Sequence, residues 1–440
     1  MKRAALTIVL ISACTAGGVA AEEYAIRGGK VVTLAGPAIE KGTVLIRDGK
    51  IVAVGADVKV PASAKVIDAT GLEVYPGLFD CLSPIGLTEI SSVSATVDTS
   101  ELGGFNPHLV ASTAINAASE HIPVVRANGI THAVSAPGGG GFNPFGGGGS
   151  IMPGQASLVH LDGWTVEEMA IVPSLALVLN WPAISTQTFD FQTFSVRRRP
   201  FTDVKKEYDE KFGQLEDWLE AGRRYAHAAE KGSAANFDRD LKLEALARVV
   251  KGELPVIVNA DDDRDIKNAV EFAEKHKLRM ILAGGSEAWR VKTLLKEKNI
   301  PVILGPTLTL PDEEDDPYDK PNTRAGELFA AGVKIAFGSL SGSGPSPVPS
   351  YGLPYEAANA VSYGLPWEDA LKAITLNPAQ ILGVADRLGS LEVGKLANVI
   401  VTTGDPLEIR TEVKHVFIQG HPVDTNNKQR RLYERYRARP

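Results

Sequence analysis

Three consecutive carboxylates, Asp261, Asp262 and Asp263, follow Asn259 at the end of the apolar run Pro255-Val256-Ile257-Val258, and Glu287 follows a second run, Met280-Ile281-Leu282. Paired carboxylates can serve as general acid and base when their surroundings separate their pKa values, and they can hold a hard cation such as calcium. The same residues also suit structural work. Asp262 and Asp263 stand where a helix near Asp265 would begin, and acidic groups cap and stabilise the positive end of a helix. Capping is the expected role, with Asp261, Asp263 and Glu287 kept as the candidates for chemistry. Ser83, Ser339 and Ser341 could act as nucleophiles only beside a His–acid pair, and none is identifiable.

The other reactive types are sparse. The eight histidines, His108, His121, His132, His160, His227, His276, His415 and His421, are scattered, and no two are spaced to chelate a metal. Each is expected to be a hydrogen-bonded core or surface residue. Of two cysteines, Cys14 lies in the N-terminal leader and Cys81 in an apolar context, so no internal disulfide is expected and Cys81 reads as a buried small hydrophobe.

These groups need a scaffold, and the pattern of the chain supplies one. Short β-branched runs (residues 131–134, 176–179, 256–258, 280–282, 302–304 and 334–337) alternate with helical segments at 205–231, 242–251, 265–276 and 367–375. That alternation predicts a parallel (β/α)8 barrel. Hairpin-like strands crowd residues 24–75, and matching strands occur at 398–402 and 413–418. A small β-sandwich built from both termini is expected. The domain reading is a leader at 1–21, a composite sandwich at 22–75 plus 386–425, a barrel at 76–385 and a basic tail at 426–440.

Two loops break the regularity. Gly138 to Gly149 is glycine-rich but lacks a Lys-Ser/Thr pair or Gly-x-Gly-x-x-Gly spacing, so a barrel-mouth loop is expected rather than a phosphate cradle. The acidic run 311–317 is bracketed by Pro311 and Pro317 and lacks EF-hand spacing, which predicts a solvated loop.

The leader has Lys2-Arg3, an apolar stretch from Ala4 to Ala13 and the small residues Val19-Ala20-Ala21. This pattern predicts export to the periplasm or medium, and ten apolar residues are too few to span a bilayer. Ile11-Ser12-Ala13-Cys14 also fits a lipoprotein box, so a lipid anchor at Cys14 is the alternative, and the one route to a membrane. A net charge of −7 leaves no footprint for nucleic acid. The exception is the tail, where Lys428, Arg430, Arg431, Arg435, Arg437 and Arg439 cluster. A solvated terminal helix is expected there.

The segment Val74-Tyr75-Pro76-Gly77-Leu78-Phe79-Asp80-Cys81-Leu82-Ser83-Pro84 resembles the end of the first barrel strand in the amidohydrolase superfamily. Residues 49–55, 66–71, 375–383 and 389–398 resemble that superfamily's imidazolonepropionase-like branch. The resemblance covers nearly the whole mature chain and implies a barrel that hydrolyses carbon–nitrogen bonds with one or two divalent metals, usually zinc. It also implies ligands at set positions: a His-x-His pair on strand one, a carboxylate on strand four, histidines on strands five and six, and an Asp on strand eight. Matched residue by residue, those positions hold Leu82 and Pro84, Asn180, Asn259 (with Asp261), Gly284 and Leu340. The expectation is therefore a pocket without a metal or other cofactor. The expected protein is a non-catalytic homologue that partners or regulates an active amidohydrolase or binds a small amide. Superfamily members commonly oligomerise, which adds a homo-oligomer or a hetero-oligomer with an active relative to the expectations. A hydrolase with a rebuilt site and a periplasmic capture protein, with Trp181, Phe142 and Phe145 at the mouth, are the alternatives.

Overall fold

The computed structural model describes residues 22–138, 150–190, 195–230, 239–311, 315–339 and 348–439. The leader with Cys14, most of the glycine-rich loop with Phe142 and Phe145, the acidic residues 312–314, and Leu340 with Ser341 lie outside the described residues.

Strands from both ends of the chain form the first sheet. From the N-terminal side come β1 (Glu23–Val31), β2 (Ile39–Arg47), β3 (Lys50–Gly55), β4 (Lys65–Asp68) and β5 (Glu73–Pro76). β1 to β3 form an antiparallel meander, and β4 and β5 both pair with β1 in parallel.

The second sheet is the barrel, and its strands in order are β6 (Leu78–Ser83), β7 (Ile130–Ser135), β8 (Gly154–His160), β9 (Ala170–Asn180), then, after a separate hairpin of β10 (Gln187–Asp190) and β11 (Ser195–Arg198), β12 (Val256–Ala260), β13 (Met280–Gly284), β14 (Val302–Leu304) and β15 (Ile335–Phe337). The C-terminal strands β16 (Val399–Thr402), β17 (Val413–Ile418) and β18 (His421–Val423) return to the first sheet, where β16 pairs antiparallel with β5. Val399 and Val401 join Tyr24, Ile26, Val44 and Phe417 in its core, and Tyr24 meets Phe417 edge to face.

The barrel departs from eight parallel strands at one place. β8 runs antiparallel to both β7 and β9. After β7 the chain returns down the barrel as β8. A short connection containing the helix Val166–Met169 then leads up β9. The run Gln155–His160 is not among the sequence-predicted strands. Downstream, the helices Phe201–Glu230, Leu241–Val250, Asp263–His276 and Trp367–Ala373 fall where the periodicity puts them.

All eight barrel strands contribute to one apolar cluster, including Phe79, Val134, Leu158, Val178, Ile257, Ile281, Ile303 and Ala336, which identifies it as the barrel interior. Leu382, Val384 and Leu388, from the segment after β15, join that cluster. The interior is packed rather than open, as small barrels require. Between β15 and β6 there is no strand ladder. The seam is closed by side chains, described next.

Candidate functional site

The carboxyl ends of the parallel strands form the rim where barrel chemistry belongs. β6 reaches it through Leu82 and Pro84, both buried, with Leu82 inside the apolar cluster. β9 and β12 reach it through Asn180 and Asn259, directly paired across the ladder. The Asn259 amide nitrogen donates to Asn180 Oδ1 at 2.7 Å, and Asn180 Nδ2 donates to the Ser150 carbonyl at 2.8 Å. Asn180 thus spends both of its amide groups on Asn259 and the backbone, whereas Asn259 Oδ1 is buried without a hydrogen-bond partner.

β13 ends at Gly284, whose φ of +84° favours glycine. A Cβ there would fall 2.5 Å from Asp261 Oδ1. Asp261 Oδ1 accepts the Ser286 amide at 3.2 Å and its hydroxyl at 3.1 Å, which locks the β12 exit to the β13 exit. A side chain at the end of β13 would have to displace the Asp261 carboxylate at the exit of β12.

The other two candidates are equally engaged. Glu287 accepts the Asp263 amide at 2.8 Å and pairs with Arg290 at 3.0 Å. The helix Asp263–His276 is therefore capped from across the rim, while its N-cap residue Asp262 makes no capping bond through its own side chain. Asp263 pairs with Lys267 at 2.6 Å, and that bond lowers its pKa, whereas burial raises that of Glu287. The two carboxylates separate in the direction an acid–base pair needs, yet each is held by a scaffold cation or amide.

Asp80, which sequence reasoning passed over, is the most deeply buried acid of the rim. Its Oδ1 accepts the Ser339 amide at 3.0 Å, and its Oδ2 accepts the Ser339 hydroxyl. Ser339 Oγ lies 2.7 Å from Ser350 Oγ, which lies 3.0 Å from Ser83 Oγ. Asp80 thereby bridges β6 to the end of β15 and stands in for the missing ladder. Burial raises its pKa to about 6, against the lowering effect of the serine bonds. No histidine enters this cluster, so neither Ser83 nor Ser339 has the imidazole base of a serine triad.

Histidines do meet, but at the opposite end. His132 on β7 and His160 on β8 are register partners on antiparallel strands. Two residues from Val134 and Leu158 respectively, both project into the barrel interior near its amino-terminal floor. Asn398 Nδ2 lies 3.4 Å from His132 Nδ1 and 3.5 Å from His160 Nδ1, and Thr131 Oγ1 lies 2.7 Å from the former. His132 packs on Phe79, with ring centroids 4.3 Å apart. Burial lowers the pKa of both, that of His160 to about 3. The signal that could have paired them is the antiparallel strand, whose direction is invisible in a linear spacing of 28 residues.

The described rim residues do not fit a divalent metal. Leu82, Pro84 and Gly284 offer no side-chain ligand atom, the Asn180 amide is bonded through both of its groups, and Asn259 Oδ1, buried without a hydrogen-bond partner, is a lone neutral donor. Among the described residues, no group of three or more His, Cys, Asp or Glu side chains is placed to hold a metal ion. Also among the described residues, no helix is long and apolar enough to cross a membrane.

Comparison with known proteins gives three consistent findings. Residues 320–423 match the model of the amidohydrolase family. An imidazolonepropionase of Symbiobacterium thermophilum is 26% identical over 421 residues, covering 86% of this chain and 89% of the relative. The crystal structure of an amidohydrolase from Thermotoga maritima superposes with a TM-score of 0.77 at 26% identity, covering 91% of this chain and 99% of that one. Molinate hydrolase, at 18% identity and a TM-score of 0.56, shares the fold.

Proposed function

We propose that this chain, which belongs to the amidohydrolase superfamily in its imidazolonepropionase-like branch, is an exported non-catalytic homologue. In this reading it acts as partner or regulatory subunit of an active amidohydrolase, or holds a small amide in the old pocket. The observation that carries the reading is the β13 exit. Where its active relatives need a ligand, Gly284 leaves no atom and Asp261 fills the space. Hydrolysis by a metal site requires donors that hold the ion and an open position for water. The two rim amides and two apolar residues supply neither. Asp80, Asp261, Asp263 and Glu287 are acids of that rim, and each braces a strand exit or a helix start.

The experiment is a hydrolysis screen of N-acyl amino acids, dipeptides and cyclic amides, with and without added zinc or manganese, alongside co-purification from the native source. No turnover above background, with an active homologue retained on the column, is the expected result. Turnover abolished by Asp261→Asn or Asp263→Asn would overturn the reading in favour of a rebuilt active site.

A further inference from the structure

The C-terminal helix Lys428–Arg437 buries none of its residues, although Asn427 fixes its start by accepting the Arg430 amide at 3.0 Å. Most helices in folded proteins are held by an apolar face packed on the body. This one is tied down by charge, and from one side. Arg431 lies 3.9 Å from Glu120, and Arg430 reaches Thr425 Oγ1 at 2.9 Å. Glu412, whose pKa is lowered first by its hydrogen bond to Lys414, lies within the field of Arg430 as well. The segment 427–440 carries six basic residues and one acidic, net +5, so the other 426 residues carry −12.

The side chains are ordered around the helix axis. Counted from Lys428, Leu432, Tyr436 and Tyr433 fall at about 40°, 80° and 140°, with neutral Gln429 between the two tyrosines. Lys428 and Arg435 stand about 40° and 60° beyond one edge of that arc, and Arg437 and Arg430 stand equally far beyond the other. Arg431, which faces Glu120, is about 150° from the centre of the arc, so the apolar strip points away from the body. Glu434, the helix's one acid, is also on the far face and pairs with Arg437 at 2.8 Å. Leu432, Tyr433 and Tyr436 are 37%, 62% and 47% exposed. What covers the rings is the helix's own guanidiniums, Arg437 at 5.6 Å from the Tyr433 centroid and Arg439 at 4.3 Å from that of Tyr436.

We propose that the helix Lys428–Arg437 docks on an anionic phospholipid surface, lying in the headgroup plane with Leu432, Tyr433 and Tyr436 turned toward the acyl boundary. An apolar strip bordered by cations on both sides is the arrangement such a plane requires: the apolar groups enter, and the Lys and Arg stems bend back to the phosphates flanking them. Tyrosine suits this depth, with an apolar ring and a hydroxyl that stays wet. Charge complementarity decides the occupant, since the cations near the headgroups add their attraction to the small apolar area. The excess negative charge of the remaining chain confines the contact to this helix. At 10 residues the helix lies on the bilayer and does not cross it. The inference is independent of whether the barrel is catalytic.

Vesicle co-sedimentation of the chain lacking residues 1–21, which removes Cys14, tests it at about 0.05 and 0.5 M salt, where Debye lengths are roughly 14 and 4 Å. Binding to phosphatidylglycerol vesicles at low salt is expected. It should weaken at least about tenfold on phosphatidylcholine vesicles, at high salt, or in Lys428→Glu/Arg435→Glu/Arg437→Glu. Lys at positions 435 and 437 is expected to retain binding, which separates charge from folding. Leu432→Ala/Tyr433→Ala/Tyr436→Ala, which leaves every charge in place, should also weaken binding about tenfold. No binding to phosphatidylglycerol overturns the proposal, as does equal binding to phosphatidylcholine or binding that survives either triple variant. Retention by polyglutamate without vesicle binding overturns it in favour of an acidic protein partner.

Discussion

The two ends of the barrel invert what such a barrel needs for hydrolysis. At the amino-terminal floor, where no chemistry is expected, His132 and His160 face each other in register, buried and neutral beside Asn398. At the carboxyl rim, where imidazoles would serve, the positions hold Leu82, Pro84, Asn180, Asn259 and Gly284. Titratable groups are present at both ends: the rim acids hold strand exits and a helix start, while at the floor His132 Nε2 is buried without a hydrogen-bond partner. Position in the fold, and not residue type, decides what a side chain can do.

Breaking the floor should cost more than breaking the rim. Phe79→Ala removes the ring on which His132 rests and is expected to destabilise by about 3–5 kcal/mol, read as a shift in the urea midpoint. Asp80→Ala leaves the buried Ser339 amide and hydroxyl without their acceptor, for about 1–3 kcal/mol. Asp263→Ala, which loses a half-exposed pair with Lys267, should change stability by only about 0.3–0.5 kcal/mol. A floor substitution milder than Asp263→Ala would reverse the comparison.

Acid sharpens it, because the two ends respond with opposite signs. Asp80 has a folded pKa of about 6 against an ordinary value of 3.8. Between those values the folded state binds more protons, so its contribution grows as pH falls and is lost as pH rises through 6. His160 has a folded pKa of about 3 against 6.5. There the unfolded state binds more protons, and stability is lost as pH falls below about 6.5. Asp80→Asn is therefore expected to steepen the loss of stability between pH 6 and 4, and His160→Gln to flatten it, in unfolding curves taken across that range. Identical slopes in the two variants would remove the distinction.

The strand ends at the rim were legible in the sequence, and the floor was not. Gly284, Asn180 and Asn259 were legible through the resemblance of their segments to the superfamily's ligand motifs, and the structure ends β13 at Gly284, β9 at Asn180 and β12 one residue past Asn259. Asp80 was in view inside the Pro-Gly-Leu-Phe-Asp stretch, but its partners Ser339 and Ser350 are more than 250 residues away. The floor depends on β8, whose short run lies between a glycine-rich loop and a four-residue helix and carries no crossover to announce it. Without its antiparallel direction, His132 and His160 read as unrelated.

Metal content of the protein, measured by elemental analysis after purification without chelator, tests the central claim most directly. The account predicts less than about a tenth of an equivalent of zinc, manganese, iron, nickel or calcium per chain, because the rim offers no sufficient donor set. Close to one equivalent, lost on Asp261→Ala or Asp263→Ala, would contradict it and make the rim acids ligands of a rebuilt centre.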